Sequence, residues 1–270
     1  MKVDAITAGD VDSFLDGLLQ DRSHSTRNRY RTLLHALFNP AIRHGYASTN
    51  TVKGVGKFKE PEGRIKFLLG EEEGIVRDAL HPDLQPLFTV SVHTGLRWSE
   101  QLTLEWQDVD VLIQQIRVRQ SKTGYTRQVP MNSIVRSVLL DVAAMRRTPN
   151  DREEPVFACL HKQPDKFFPK AVERARKALL AAGRDASRLE GYTWHCNRHT
   201  FAARLVMAGV DLRTIQALGG WRTLAMVQRY SHLAPGHLLE AVERLVPARV
   251  GPTELRENFE SGGSPSPGVS

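Results

Sequence analysis

Apolar residues recur at helical spacing along most of this chain, and the pattern changes in one place. Between Ile113 and Pro130 it becomes that of a β-hairpin, with Ser121-Lys122-Thr123-Gly124 at the turn. Helical spacing returns at Ser133. A chain of 270 residues, 41% of them hydrophobic, is long enough to bury a substantial core. The sequence therefore predicts a mainly α fold with one small antiparallel β-sheet.

The predicted helices fall into an N-terminal group and a larger second group. Two helices are expected between residues 7 and 46, with Ser25 as the N-cap of the second helix and Gly45 as its stop. Residues 51–66, rich in Gly and Lys, predict a connection. The remaining helices are expected at residues 71–80, 84–94 (closed by Gly95), 133–145, 167–182, 194–208, 212–218, 224–230 and 235–245. Residues 249–270 are expected to form a disordered tail.

Basic residues are concentrated near the N-terminal group. Residues 22–66 contain ten Lys or Arg against two acids, an excess of +8, and the whole chain carries +7. One interpretation is a solvated helix face followed by a polar connection; the other is a surface that contacts DNA phosphates. The candidate phosphate contacts are Arg27, Arg29, Arg31, Lys53, Lys57 and Lys59.

Other features exclude whole classes of protein. The two cysteines, Cys159 and Cys196, belong to no CxxC or Cys/His cluster, so neither a zinc site nor a disulfide framework is expected. The acidic start of the chain does not fit a secretory signal, and no uncharged apolar run approaches the ~18 residues of a membrane helix. The expectation is a cytoplasmic protein without membrane contact.

Several residues have the chemistry to bind and cleave a phosphodiester. His195 and Arg198 are three apart, so on a helix they share a face. Arg97 follows Gly95 and precedes Glu100 by three residues. The alternative interpretation makes these a capped helix and structural ion pairs. The functional interpretation makes the two guanidinium groups phosphate clamps, with Glu100 orienting Arg97.

Three further candidates depend on their neighbours in sequence. Lys122 lies at a hairpin turn, where most lysines are merely solvated. Trp221 follows Gly219-Gly220 and is by itself a typical core aromatic. Tyr230, one of five tyrosines, stands nine residues after Trp221 and is the candidate nucleophile.

Taken in order, these motifs resemble those of the tyrosine recombinases, specifically the phage-integrase type. Residues 94–100 resemble the first arginine motif of that family, and residues 121–124 its β-hairpin lysine. Residues 195–202 resemble its HxxR box, and residues 218–233 its closing segment with the nucleophile. The resemblance implies a short helical core-DNA-binding domain at residues 1–60 and a catalytic domain at residues 61–248.

The resemblance also implies a role for each residue. Tyr230 attacks the scissile phosphate, and Arg97 and Arg198 stabilise the transition state. Lys122 protonates the departing 5′ oxygen, and His195 assists proton transfer. Trp221 supports the phosphate, and Glu100 supports Arg97. The reaction needs neither metal nor ATP.

Partners follow from the same resemblance. They are double-stranded DNA, other copies of the chain and accessory DNA-bending proteins. The chain, a monomer or weak oligomer without DNA, would assemble into a homotetramer on two DNA sites. In a bacterial cytoplasm the protein would associate with the nucleoid when bound to DNA. The helix expected at 235–245 would dock on a neighbouring subunit or pack on its own chain. Two other functions stay open: a type IB topoisomerase-like enzyme, and a DNA-binding remnant that has lost catalysis.

Overall fold

A computed structural model describes residues 3–60, 65–119, 126–146, 148–157, 164–234 and Val242 of the chain. Contacts divide the chain into two compact units, residues 1–64 and 65–270. The helices are α1 Ala8–Gly17, α2 His24–Arg43, α3 Gly70–Asp78, α4 Gln85–Thr94, α5 Trp98–Leu102, α6 Ser133–Ala144, α7 Pro164–Ala181, α8 His195–Met207, α9 Leu212–Gly219 and α10 Ala225–Gln228; the strands are β1 Val109–Asp110, β2 Gln115–Val118 and β3 Arg127–Pro130. The predicted fold class, mainly α with a small antiparallel sheet, is confirmed.

The first unit is built from α1, α2 and a short 3₁₀ helix, Thr51–Gly54. Its core includes Leu15 and Val52, both fully buried. The predicted cap of α2 is wrong by two positions, because the Ser23 hydroxyl, not that of Ser25, accepts the backbone N–H of Thr26. Serine caps equally well at either place, so composition alone does not choose between them.

The second unit is organised around α4. Seven of its ten residues are buried, and it packs against α3, α6 and α8. A helix enclosed on nearly every side has no wide solvent-facing side, so even its polar Thr89, Ser91 and Thr94 are buried. Gly95 ends α4 in a left-handed conformation, as predicted.

The sheet has the strand order β1-β2-β3, with both pairs antiparallel. Ile116 pairs with Val129 at the centre of the β2–β3 hairpin, and both side chains are buried. The hairpin confirms the predicted change of period at residues 113–130. The short β1 and α5 were not predicted, because two to five residues are too few to establish a period.

The eight helices of the second predicted group divide into seven that the structure describes and one that it does not. The seven lie within three residues of their predicted bounds. The helix expected at 235–245 and the tail expected at 249–270 lie outside the described residues, except for Val242. Within the described part of the chain, no helix is long and apolar enough to cross a membrane.

Candidate active site

The turn between α4 and α5 positions Arg97. This residue is the N-cap of α5, and Glu100 accepts its backbone N–H at 2.8 Å. The other Glu100 oxygen accepts Nη1 of the same arginine at 2.7 Å, and Nη2 donates to the Gly220 carbonyl at 3.2 Å. The guanidinium is therefore held from two sides, by the first turn of α5 and by the end of α9.

Glu100 has a second guanidinium partner that the sequence analysis missed. Arg127 at the start of β3 donates to both Glu100 oxygens, at 2.9 and 2.7 Å, and is 6% exposed. Burial raises the pKa of Glu100, but hydrogen bonds and charge from Arg127 and Arg97 outweigh it and bring the pKa to about 2. Glu100 is thus an ionised bridge that orients Arg97 while compensating a buried Arg127.

Arg198 on α8 is more buried than Arg97, the other candidate phosphate clamp. It is 3% exposed, and its Nη1 donates to the Gly95 carbonyl at 2.6 Å. Its Nη2 is buried and finds no acceptor among the described residues. Burial, followed by the charge of Arg97, lowers the pKa of Arg198 to about 9, so the group still carries its charge at neutral pH. The site therefore offers a charged, unpaired N–H in a desolvated place.

Arg97, His195 and Arg198 line one cavity of about 300 Å³, together with Leu96, Trp98, Thr193 and Trp194. Partial burial and the charges of Arg198 and Arg97 lower the pKa of His195, so its imidazole is neutral at physiological pH. The cavity joins two guanidinium groups to a neutral imidazole, a combination suited to an anion with a transferable proton nearby.

The Gly219-Gly220-Trp221 turn brings an indole to the same place. A Cβ on Gly219 would lie 1.8 Å from the Trp221 ring, and Gly220 caps α9 with a φ of +64°. Both positions therefore require glycine, one for space and one for conformation. The resulting turn stacks the Trp221 ring against the Arg198 guanidinium, whose Cζ lies 3.9 Å from the centroid of that ring.

Tyr230 follows α10 and is 1% exposed. Its ring meets Trp221 edge to face at 6.3 Å between centroids. Its hydroxyl is hydrogen bonded to Nδ1 of His199 at 2.5 Å. Burial raises the pKa of the phenol. The candidate nucleophile is therefore protonated, enclosed and in contact with His199, a residue of the 195–202 motif for which no role was predicted.

Contacts join the predicted catalytic residues into one group. Arg97 reaches the turn that carries Trp221, and Trp221 touches both Arg198 and Tyr230. His195 and Arg198 share a cavity with Arg97. Lys122 lies outside the described residues. Among the described residues, no group of three His, Cys, Asp or Glu side chains is arranged to hold a metal ion.

The candidate DNA-binding residues of the first unit divide by exposure. Arg29, Lys53, Lys57 and Lys59 are exposed. Arg31 is half-buried, and its Nε donates to the Val55 carbonyl at 2.6 Å.

Arg27 differs from these five residues, because it is 2% exposed. It donates to Asp12 at 2.7 Å and to Asp16 at 3.1 Å, and it lies 4.1 Å over the Phe58 ring. Its guanidinium is directed into the unit, so we assign it a structural position.

Comparison with known proteins gives a consistent result. The family model described as the phage integrase family matches residues 75–237, more than half of the chain. The integrase of Salmonella phage P22 is 31% identical over 197 residues, which cover 70% of this chain and 49% of that protein. Tyrosine recombinase XerA of Pyrococcus furiosus is 34% identical over 192 residues, which cover 69% of this chain and 64% of that protein. The chain thus spans about half the length of the P22 integrase and less than two thirds of XerA.

A solved structure shows the same fold. The Tn1549 transposon integrase, in complex with a circular intermediate DNA, aligns with a TM-score of 0.69 at 20% identity, covering 90% of this chain and 87% of that chain. The match to the family model, over the segment that contains every described residue of the cavity, shows that the chain belongs to the phage integrase family of tyrosine recombinases.

Proposed function

We propose that this protein is a site-specific DNA recombinase that cleaves and rejoins DNA through a 3′-phosphotyrosyl bond to Tyr230. Oη of Tyr230 forms a bond to phosphorus, and the bond from phosphorus to the 5′ oxygen breaks. The phosphotyrosyl diester keeps the energy of the broken bond, so religation by a 5′ hydroxyl requires neither ATP nor a metal ion. The substrate is double-stranded DNA, and the protein acts on it in the cytoplasm.

The observation that carries this proposal is the unpaired Nη2 of Arg198. A buried donor without an acceptor costs about 1–3 kcal/mol, and a charged one in a cavity beside Arg97 favours an anion. A phosphodiester oxygen satisfies this donor, and the single negative charge of the diester offsets part of the positive charge of Arg97 and Arg198. The same contacts stabilise the extra negative charge of a pentavalent phosphorane.

The other residues act around this phosphate. Trp221 packs against the Arg198 guanidinium and against the Tyr230 ring, so one indole fixes the clamp relative to the nucleophile. Glu100 orients Arg97. His195 assists proton transfer, and Lys122 protonates the 5′ oxygen. We assign DNA phosphate contacts to Arg29, Arg31, Lys53, Lys57 and Lys59, of which all but Arg31 are exposed.

The assembly we propose is a homotetramer on two DNA sites, formed from a monomer or weak oligomer, with accessory DNA-bending proteins aiding the complex. Family membership supports this assembly, because exchange between two duplexes needs four cleavages.

The direct test is to trap the covalent intermediate. The substrates are nicked duplexes tiled across the DNA that flanks the gene of this protein. Cleavage just before a nick releases a short fragment that carries the 5′ hydroxyl, so the adduct cannot religate. The adduct migrates slowly on a denaturing gel. We expect an adduct with wild type and with Tyr46→Phe, an exposed control. We expect none with Tyr230→Phe, whose DNA affinity should be retained.

The outcomes separate the competing functions. An adduct that persists in Tyr230→Phe contradicts the proposed nucleophile. Absence of an adduct in wild type, with DNA binding intact, favours the catalytically inactive remnant. An adduct without exchange between paired sites favours a topoisomerase-like enzyme.

A further inference from the structure

The hydrogen bond between Tyr230 and His199 is the contact from which we argue. Oη of Tyr230 lies 2.5 Å from Nδ1 of His199, and the two rings are 5.8 Å apart between centroids. His199 is half-buried on α8, four residues after His195, so both imidazoles lie on one face of the helix. Their rings meet perpendicularly at 5.0 Å. His199 thus lies between the nucleophile and a residue of the phosphate cavity.

The protonation states fix the direction of this hydrogen bond. Burial raises the pKa of Tyr230, so the phenol keeps its proton. Burial, followed by the charges of His195, Arg229 and Arg198, lowers the pKa of His199 to about 4, so its imidazole is neutral. Among the described residues the phenol has no other acceptor. The phenol therefore donates to Nδ1, and the proton of the imidazole is on Nε2.

We propose that His199 is a further catalytic residue, whose Nδ1 holds the Tyr230 hydroxyl and takes its proton as Oη attacks phosphorus. This inference rests on the proposed function. The proton moves from Oη to Nδ1 and leaves an imidazolium, while the Oη–P bond forms. The P–O5′ bond breaks with its electron pair on O5′, which takes a proton from the general acid. In religation the 5′ hydroxyl gives its proton back to the deprotonated general acid as the O5′–P bond forms. The Oη–P bond breaks, and His199 returns its own proton to the departing phenolate.

The charges around His199 make this base responsive to DNA. The groups that face it are His195 and Arg198 on α8, and Arg229 and Tyr230 after α10. Arg198 and Arg229 disfavour an imidazolium in the free protein. A phosphodiester bound at Arg198 adds a negative charge close by, which offsets that repulsion and raises the basicity of the imidazole. Proton removal is thus favoured when a phosphate is in place.

The decisive variant is His199→Asn. The asparagine side chain can present its oxygen near the former Nδ1 and accept the phenol hydrogen bond, but it cannot accept a proton at neutral pH. We expect the single-turnover rate of adduct formation on the nicked duplex to fall by about 10²- to 10⁴-fold, with DNA affinity within about threefold of wild type. His232→Asn, an exposed histidine two residues after the nucleophile, is the matched control and should keep the wild-type rate.

The pH profile distinguishes a base from a structural contact. In wild type the rate should rise with pH and level off above the pKa of His199 in the DNA complex. In His199→Asn the rate should continue to rise tenfold per pH unit through neutral pH, because hydroxide must take the proton in place of the imidazole. Profiles of equal shape would overturn the proposal.

A sulfur-substituted substrate identifies the side of the phosphate on which His199 acts. A duplex with sulfur at the 5′-bridging position has a leaving group that needs no proton, so it restores variants of a general acid. It should not restore His199→Asn. Recovery of the wild-type rate on this duplex would overturn the assignment, as would a variant as fast as wild type on ordinary DNA.

A second variant covers the case in which His199→Asn does not fold. His199→Ala leaves space beside the phenol, and imidazole added to the buffer should recover at least tenfold in rate if the lost function is proton acceptance. Absence of rescue in the folded variant contradicts the proposal. A wild-type protein that forms no adduct would refute the proposed function instead, so the two failures are distinguishable.

Discussion

Replacing Glu100 should lower the stability of the second unit, because this carboxylate is buried between two guanidinium groups. Its side chain is 8% exposed and bridges Arg97 and Arg127. The difference between a pKa of 4.5 and one of about 2 corresponds to about 3 kcal/mol of stability at neutral pH. Glu100→Gln leaves the buried Arg127 without a counterion and should lower the free energy of unfolding by about that amount.

Tryptophan fluorescence during urea unfolding is the suitable assay. All four tryptophans, at positions 98, 106, 194 and 221, belong to the second unit, so the signal reports on that unit alone. Glu71→Gln is the matched control, because Glu71 is 64% exposed and its ion pair with Arg184 should contribute less than about 1 kcal/mol.

The pH dependence gives the prediction a sign. A carboxyl group with a lowered pKa stabilises the fold above its unfolded pKa, and that stabilisation disappears as pH falls towards the folded value. The gap between wild type and Glu100→Gln should therefore be constant from pH 6 to 8 and fall to less than about half at pH 3. In an Arg127→Met background, Glu100→Gln should have a much smaller effect. A penalty under about 0.5 kcal/mol, or one independent of both pH and Arg127, would refute the reasoning.

Three other changes have defined outcomes. Gly220→Ala should lower the urea midpoint more than Gly183→Ala. The new Cβ at position 220 would lie 2.7 Å from Arg127 Cδ. The space around Gly183 is open, so an alanine there costs only the backbone strain of a positive φ, about 1–2 kcal/mol. Arg27→Met should speed proteolysis within residues 1–64 by about tenfold or more, as expected for a loss of over about 1.4 kcal/mol, since the contacts of the buried guanidinium with Asp12, Asp16 and Phe58 disappear; an unchanged rate would contradict its structural position. Lys53→Ala should leave the rate of proteolysis within residues 1–64 unchanged and reduce the slope of log affinity against log salt by about 0.9; an unaltered slope would remove it from the DNA surface.

The elements most readily predicted from the sequence were those with a long hydrophobic period. Helices such as α6 and α8 have the predicted bounds to within one residue, because twelve or more residues repeat the pattern several times. The chemistry of short motifs also depends on neighbours in sequence: His195 and Arg198 share a helix face, and Glu100 reaches back to Arg97 within one turn.

Contacts between distant segments could not be predicted, because no spacing in the sequence links the two partners. Arg127 and Glu100 are 27 residues apart and meet only because the hairpin returns β3 towards α5. His199 and Tyr230 are 31 residues apart, and their contact depends on how α10 follows the Gly219-Gly220 turn. Arg27 has the same charge as its basic neighbours, yet two aspartates on α1 direct it inwards.

The end of α4 has a consequence for which changes this protein can tolerate. Arg198 is anchored to the carbonyl of Gly95, and Arg97 follows only two residues later along the same backbone. The separation of the two guanidinium groups therefore depends on the main chain between residues 95 and 97. Inserting or deleting one residue between positions 95 and 97 should abolish phosphate binding even with both arginines retained.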